Sequence, residues 1–288
     1  FKVMDDLKAA RVPVLILSGG EPLLRPDIFE VSARAKAMGF YVGLSSNGAL
    51  IDEPMAERIA AVGYDYVGVS LDGIGAVHDR FRRVPGAYAA SLAGIRRCHD
   101  LGIKVGLRFT VTERNVESLP EMLALMEAER LDKFYLSHLV YSGRGDRYRD
   151  ADAHHRTTRA VMDLLFERCW AHVLEGRHTE FVTGNNDADG VYLLRWVERH
   201  HPEHAGHIRA KLEAWGGNAS GVNVANIDNL GQVHPDTFWW HHSLGNVKER
   251  PFGEIWQDRS DPIMAGLKAS PRRVGGRCGR CGEFAICG

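Results

Sequence analysis

A unit repeated through the first half of the chain constrains it most: a helix rich in Ala and Leu, then a glycine, then a short apolar run. It appears as Ala37-Met38-Gly39 before Phe40 to Leu44, as Ala61-Val62-Gly63 before Tyr66 to Leu71, and as Asp100-Leu101-Gly102 before Ile103 to Val111. A glycine there suits the left-handed residue that closes a helix, since it has no Cβ to clash at positive φ. Each following run suits a strand buried on both faces. Helices alternating with such strands build a parallel βα architecture. The helix starts agree. Asp52-Glu53-Pro54 sets a capping Asp before an early Pro, and Ser118-Leu119-Pro120-Glu121 has the S-x-x-E form of a capping box. With Val14 to Leu17 and Phe134 to Val140, the pattern predicts five parallel strands and at least four helices in residues 1 to 140.

Downstream the pattern changes. Residues 141 to 155 read as a polar connection, and Arg156 to Glu175 as an amphipathic helix with Val161, Leu165, Cys169 and Val173 on one stripe. Residues 177 to 220 are rich in Gly, Asn and His, with one short helix near Tyr192 to Glu198. Residues 222 to 235 read as a hairpin turning at Asn229-Leu230-Gly231. Three segments follow: a barrel-like 1 to 140, a connection and insertion 141 to 221, and a cysteine-bearing 222 to 288.

Charge narrows the partners. Lys and Arg total 36 against 37 Asp and Glu, so no basic surface calls for nucleic acid or anionic lipid. No stretch approaches the ~20 apolar residues of a membrane span. The expectation is a cytoplasmic protein acting on a small molecule or a protein. Of five cysteines, Cys278, Cys281 and Cys287 crowd the end, while Cys98 and Cys169 lie on apolar helix stripes and read as core. An odd, clustered set favours metal or cluster ligation over disulfides.

The strands end in polar residues, where the loops of a βα barrel build an active site. Ser18-Gly19-Gly20-Glu21-Pro22, Ser45-Ser46-Asn47-Gly48, Ser70-Leu71-Asp72-Gly73, Thr110 with Thr112, and Ser137-His138 would converge on one rim. The two glycines allow close backbone approach to a ligand, Glu21 offers an acceptor for an ammonium group, and Pro22 fixes the loop.

On S-G-G-E-P the sequence resembles the radical S-adenosylmethionine (AdoMet) superfamily, whose GGEP loop meets the methionyl amino group of AdoMet. The resemblance implies an incomplete (β/α)6 barrel whose first strand would precede Phe1. It implies that Gly19, Gly20, Glu21, Pro22, Ser46 and Asn47 face AdoMet and that Ser70 with Arg82 hold its carboxylate. Taken alone, Arg82 equally suits a solvated cation. The C-x3-C-x2-C triplet that ligates the family's catalytic [4Fe–4S] cluster does not occur in these 288 residues. By resemblance it is expected upstream of Phe1, so no residue here is assigned to the radical-generating step.

Cys278-Gly-Arg-Cys281 with Cys287 gives three thiolate ligands suited to an iron–sulfur cluster or to zinc. The C-x2-C-x5-C spacing resembles the auxiliary-cluster motif of SPASM and twitch domains, which implies a second [4Fe–4S] cluster, with Asp236 a candidate fourth ligand. Longer segments, among them Phe134 to Gly145, Val182 to Leu194, Trp215 to Asn226 and His234 to Asn246, resemble the radical AdoMet enzymes of haem d1 biosynthesis. That resemblance implies a didecarboxysirohaem-type tetrapyrrole losing propionates through a 5′-deoxyadenosyl radical, with a flavodoxin or ferredoxin as electron donor. His138, Tyr141, Arg144, Asn185, Asn186, Asn218, Trp239, Trp240 and His241 are of the aromatic, amide and cationic kinds that such a ligand needs. The same residues also suit turns and cores. Other readings are the decarboxylase of the alternative haem pathway, a peptide-modifying SPASM enzyme, and a non-enzymatic barrel with a structural zinc tail.

Overall fold

A computed structural model describes residues 1–272 and 274–288. They form two units: the first takes Phe1, residues 12–139 and residues 148–185, and the second takes residues 2–11, 140–147 and 186–288.

The first unit is built on a curled parallel sheet in the order β1 (Val14–Leu17), β2 (Tyr41–Ser46), β3 (Tyr66–Ser70), β4 (Val105–Thr110), β5 (Lys133–Ser137) and β6 (Glu180–Gly184). Strand order equals chain order, the mark of successive right-handed βα units. The predicted glycines close their helices as expected: Gly39, Gly63 and Gly102 all have φ between +72° and +78°. Asp52 caps its helix by accepting from Met55 N at 2.9 Å. The capping box at Ser118 does not form. A 3-10 turn, Val116–Ser118, runs straight into the helix Leu119–Ala128 and puts Ser118 in helical backbone (φ −78°, ψ −12°), which withholds the extended conformation that a cap requires.

Two further expectations change. The stretch after residue 177 was predicted without a strand, yet Glu180–Gly184 joins the sheet through β5, with Lys133 opposite Glu180 and Ser137 opposite Gly184. The middle strands are largely buried on both faces, with Tyr66 to Val69 of β3 all buried, whereas the edge strands β1 and β6 hold no buried residue. Val67, Val69, Val105, Leu107, Phe109, Phe134 and Leu136 are sealed from solvent on the outer face. The inner face carries Tyr41, Gly43 and Ser45, then Tyr66, Gly68 and Ser70, then Gly106, Arg108 and Thr110, then Lys133, Tyr135 and Ser137. The long helix His155–Leu174 buries Val161, Met162, Leu165, Phe166 and His172, while Val173 is exposed and Cys169 half-buried. Three successive i+4 steps turn about 120° around a helix of 3.6 residues per turn, which carries Val173 off the buried stripe.

The second unit contains the helices Lys2–Ala9, Ala188–His200, Pro202–Trp215, Phe252–Gln257 and Pro262–Leu267. It also holds the predicted hairpin, Asn226–Ile227 against Gln232–His234, extended by Gly245–Asn246. No helix of the described residues is long and apolar enough to cross a membrane.

Candidate AdoMet-binding site

The loop after β1 is shaped by its glycines. Gly19 has φ +143°, and a side-chain carbon added at Gly19 or Gly20 would meet no atom within 4 Å. Positive φ explains the first glycine, and the open space before both leaves bare backbone facing outward. Glu21 turns the other way. Its Oε1 accepts from Ser46 Oγ at 2.8 Å and Leu23 N at 3.1 Å, and its Oε2 accepts from Asn47 N at 2.8 Å. A carboxylate has about four lone-pair positions, so roughly one is left for an ammonium group. The Ser46–Asn47 loop is tied further: Gly48 N donates to Ser46 Oγ at 3.0 Å, and Ser91 Oγ to Asn47 O at 2.7 Å. Gly48 has φ +77°, and an added Cβ would fall 2.7 Å from Val69 Cγ1. The Gly19–Pro22 and Ser46–Asn47 loops are thus one hydrogen-bonded body, with Glu21 as its bolt.

A second cluster joins β3 to β4. Asp72 is sealed from solvent, pairs with Arg82, and accepts from Thr110 N at 2.9 Å. Asn115 Nδ2 donates to Asp72 O at 3.0 Å and to Thr110 O at 2.8 Å. Burial pushes the Asp72 carboxyl up, and the Arg82 guanidinium works against that rise. Nδ1 of His78 accepts from Asp72 N at 2.9 Å, and burial, then Arg82, pushes His78 down to about 4. Arg82 Nε is buried with no hydrogen-bond partner. Ser70 is half-buried at the end of β3, in register with Arg108.

The candidate substrate residues divide between the units. In the first, Asn185 Nδ2 donates to His138 O at 3.3 Å and His138 is buried, so these two are together. In the second, Trp239 stacks on His241 with centroids 5.6 Å apart, and Tyr141, Arg144 and Trp240 are exposed. Asn186 Nδ2 donates to Asp189 at 2.9 Å, and Asn218 Nδ2 to Asp187 at 2.8 Å. Asn218 also lines a cavity of about 440 Å³ with Trp215, Leu267, Arg272 and Phe284.

At the tail, Cys278 and Cys281 are exposed and Cys287 is half-buried. Burial raises the Cys287 thiol, and Asp187, Cys278 and Cys281 raise it further. Asp236 is engaged elsewhere, accepting from Ser220 Oγ at 2.8 Å and Phe238 N at 3.0 Å. Among the described residues no three His, Cys, Asp or Glu side chains gather in metal-ligand geometry. Cys98 is sealed in the core, where burial pushes its thiol up to about 11.

Sequence reasoning missed the inner face of the sheet. Tyr66 and Tyr135 lie down over glycines of neighbouring strands. An added Cβ at Gly106 would come 2.6 Å from Tyr66 Oη, and one at Gly184 would run into Tyr135 Oη. Arg108 lies between them over the Tyr135 ring, 4.8 Å from its centroid. The signal was present as period-two alternation in Val105-Gly-Leu-Arg-Phe-Thr110.

Comparison with known proteins agrees with this geometry. The Radical SAM superfamily matches residues 1–126. The chain is 53% identical over 290 residues to the Pre-heme d1 synthase of Dinoroseobacter shibae, covering 100% of this chain and 71% of that protein. The chain belongs to the radical SAM superfamily. It is 41% identical over 288 residues to the Fe-coproporphyrin III synthase of Methanosarcina barkeri, covering 99% of this chain and 72% of that protein. In fold it is similar to Streptococcus suis SuiB bound to its precursor peptide SuiA, with a TM-score of 0.75 at 17% identity, over 99% of this chain and 62% of that one.

Membership makes this chain part of a radical SAM enzyme, with AdoMet and a [4Fe–4S] cluster as the family's cofactors. The residues present fit AdoMet. Gly19 and Gly20 leave the backbone cradle open, and the unspent Nε of Arg82 suits an anionic group.

Proposed function

We propose that this chain acts in haem d1 biosynthesis as a radical AdoMet enzyme removing propionate side chains from a didecarboxysirohaem-type tetrapyrrole. The observation that carries the reading is the 53% identity, across the whole chain, to a Pre-heme d1 synthase. The 41% identity to an Fe-coproporphyrin III synthase favours a second reading in the same chemical class, a propionate-processing enzyme of a haem pathway.

When bound, AdoMet and a reduced [4Fe–4S] cluster supply a 5′-deoxyadenosyl radical able to take hydrogen from a propionate carbon. The work of this chain is to hold and orient. Gly19 and Gly20 offer backbone groups to the methionyl end, Glu21 locks that loop to Ser46 and Asn47, and Ser70 and Arg82 take the methionyl carboxylate. His138 and Asn185 in the first unit, and Tyr141, Arg144, Asn186, Asn218, Trp239 and His241 in the second, are the proposed substrate contacts. Cys278, Cys281 and Cys287 are proposed to hold a second [4Fe–4S] cluster. Asp236 is the proposed fourth ligand, and its two oxygens each already accept one hydrogen bond, from Ser220 and Phe238. A flavodoxin or ferredoxin is the proposed electron donor.

The test uses the protein expressed from its complete gene, reconstituted anaerobically and supplied with AdoMet, dithionite and didecarboxysirohaem. The expected products are 5′-deoxyadenosine and a tetrapyrrole that loses mass in two propionate-sized steps. AdoMet cleavage with didecarboxysirohaem unchanged would overturn the substrate assignment, and conversion of a haem-pathway porphyrin in its place would favour the second reading.

A further inference from the structure

The inner face of the sheet holds cations at two levels, and they differ in how their charge is met. At the foot of the strands, Lys133 and Lys104 both pair with Glu180, at 3.0 and 2.6 Å. One level higher, Arg108 is in register with Ser70 on β3 and Tyr135 on β5. Its Nη1 donates to Ser45 Oγ at 3.0 Å, and its guanidinium lies over the Tyr135 ring. Both partners are neutral, and among the described residues no carboxylate forms an ion pair with it.

A guanidinium carries five N–H donors, of which Ser45 takes one. A half-buried cation without a counter-charge is costly to keep. The surroundings nevertheless hold it in place. An added Cβ at Gly68 would fall 2.9 Å from Arg108 Cδ, so that glycine makes room for the stem. The Tyr135 ring fixes the guanidinium plane from beneath, and Ser45 fixes one edge. A planar, oriented fork with unused donors at the carboxyl ends of barrel strands matches a carboxylate, which it can grip through two parallel hydrogen bonds.

We propose that Arg108 is a carboxylate-binding residue of the barrel mouth, positioned by Ser45 and Tyr135, and that it takes one propionate of the tetrapyrrole substrate. The identity of that substrate rests on the function proposed above; the carboxylate site rests on the geometry alone. The methionyl carboxylate of AdoMet has the same chemistry, and the experiment separates the two sources.

The test measures equilibrium binding, without turnover, to the anaerobically reconstituted holoenzyme. AdoMet is titrated by calorimetry, and didecarboxysirohaem and its methyl ester by absorbance, against wild type, Arg108→Gln and Arg108→Lys. Iron content and thermal midpoint report whether each variant is folded. Arg108→Gln is expected to weaken the free acid by about tenfold to a hundredfold, the cost of losing hydrogen bonds to a charged group. AdoMet affinity should stay within about twofold, and Arg108→Lys should recover part of the loss. The ester should bind wild type about as weakly as the acid binds Arg108→Gln, a result that a merely structural arginine would not give. This arm needs no variant to fold. Loss of AdoMet affinity in place of tetrapyrrole affinity supports the site and assigns its carboxylate to the cofactor. Unchanged affinity for both ligands, or an ester that binds wild type as well as the acid, overturns the proposal. Should wild type take up no tetrapyrrole, the haem reading fails, and Arg108 stands or falls on the AdoMet titration.

Discussion

The peptide N–H of Asp72 donates to Nδ1 of His78 at 2.9 Å, so this imidazole nitrogen must stay unprotonated for the native structure to hold. Burial, then the charge of Arg82, sets His78 at about 4 in the folded protein, against 6.5 ordinarily, while Asp79 pulls weakly upward. The unfolded chain binds the extra proton first as pH falls. This contribution to stability is therefore complete above about pH 6.5 and is lost as pH falls toward 4, with a slope of at most about 1.4 kcal/mol per pH unit. Denaturant melts between pH 4 and 7 should show that slope. His78→Asn, which keeps an acceptor near Nδ1 but cannot titrate, should flatten it. An equally steep profile in the variant would refute the assignment.

Tyr66 Oη is buried without a hydrogen-bond partner, and burial pushes this phenol up to about 12. Tyr66→Phe removes an unsatisfied hydroxyl and should raise stability by about 1 kcal/mol. Gly106→Ala places a methyl 2.6 Å from the same oxygen and 2.8 Å from Lys133 Cβ, and should cost about 1–3 kcal/mol. In the double variant part of that cost should vanish. Strict additivity of the three thermal midpoints would show that the ring and the glycine do not press on each other.

Glu21 binds two loops through three accepted hydrogen bonds. Glu21→Gln keeps the shape but turns an amide NH2 toward at least one of those donors, which should cost about 1–3 kcal/mol. If the bolted loops form the AdoMet cradle, affinity for AdoMet should fall by roughly tenfold along with the melting temperature, since about 1.4 kcal/mol is tenfold. Calorimetric titration of AdoMet into wild type and variant decides, and equal affinities would mean that Glu21 serves the fold alone.

The tail assignment is countable. With a [4Fe–4S] cluster on Cys278, Cys281 and Cys287 beside the catalytic one, the reconstituted holoenzyme should hold about eight irons, and the paired change Cys278→Ser and Cys281→Ser should leave about four. Cys98→Ala should leave iron unchanged, because that thiol is sealed in the core. Zinc in place of the second set of irons would convert the tail into a structural ribbon.

The βα organisation was legible because it depends on local rules. A glycine must close each helix at positive φ, and Gly39, Gly63 and Gly102 do so where the pattern puts them. The S-G-G-E-P loop and the Ser46–Asn47 loop were likewise legible one at a time. Their union through Glu21 was not, because a hydrogen bond spanning about 25 residues leaves no periodic trace. The polar inner face was readable in Gly106, Arg108 and Thr110 but was masked by the valines and leucines between them, which favoured a strand buried on both sides. Glu180–Gly184 is too embedded in polar sequence to announce itself; its partner β5 makes it a strand.

The helix Lys2–Ala9 buries Met4 and Leu7 in the second unit, against the helix Phe252–Gln257, with Gly253 drawn up beside Ala10. Met4 and Leu7 are therefore completed by residues that follow them by about 250 positions. At about 5–20 residues per second, roughly 240 intervening residues take on the order of tens of seconds to emerge from a ribosome. Through that interval Met4 and Leu7 lack their native cover. The nascent chain thus carries an uncovered apolar helix that a chaperone must shield, or that the growing barrel must tolerate, until synthesis reaches the segment that caps it.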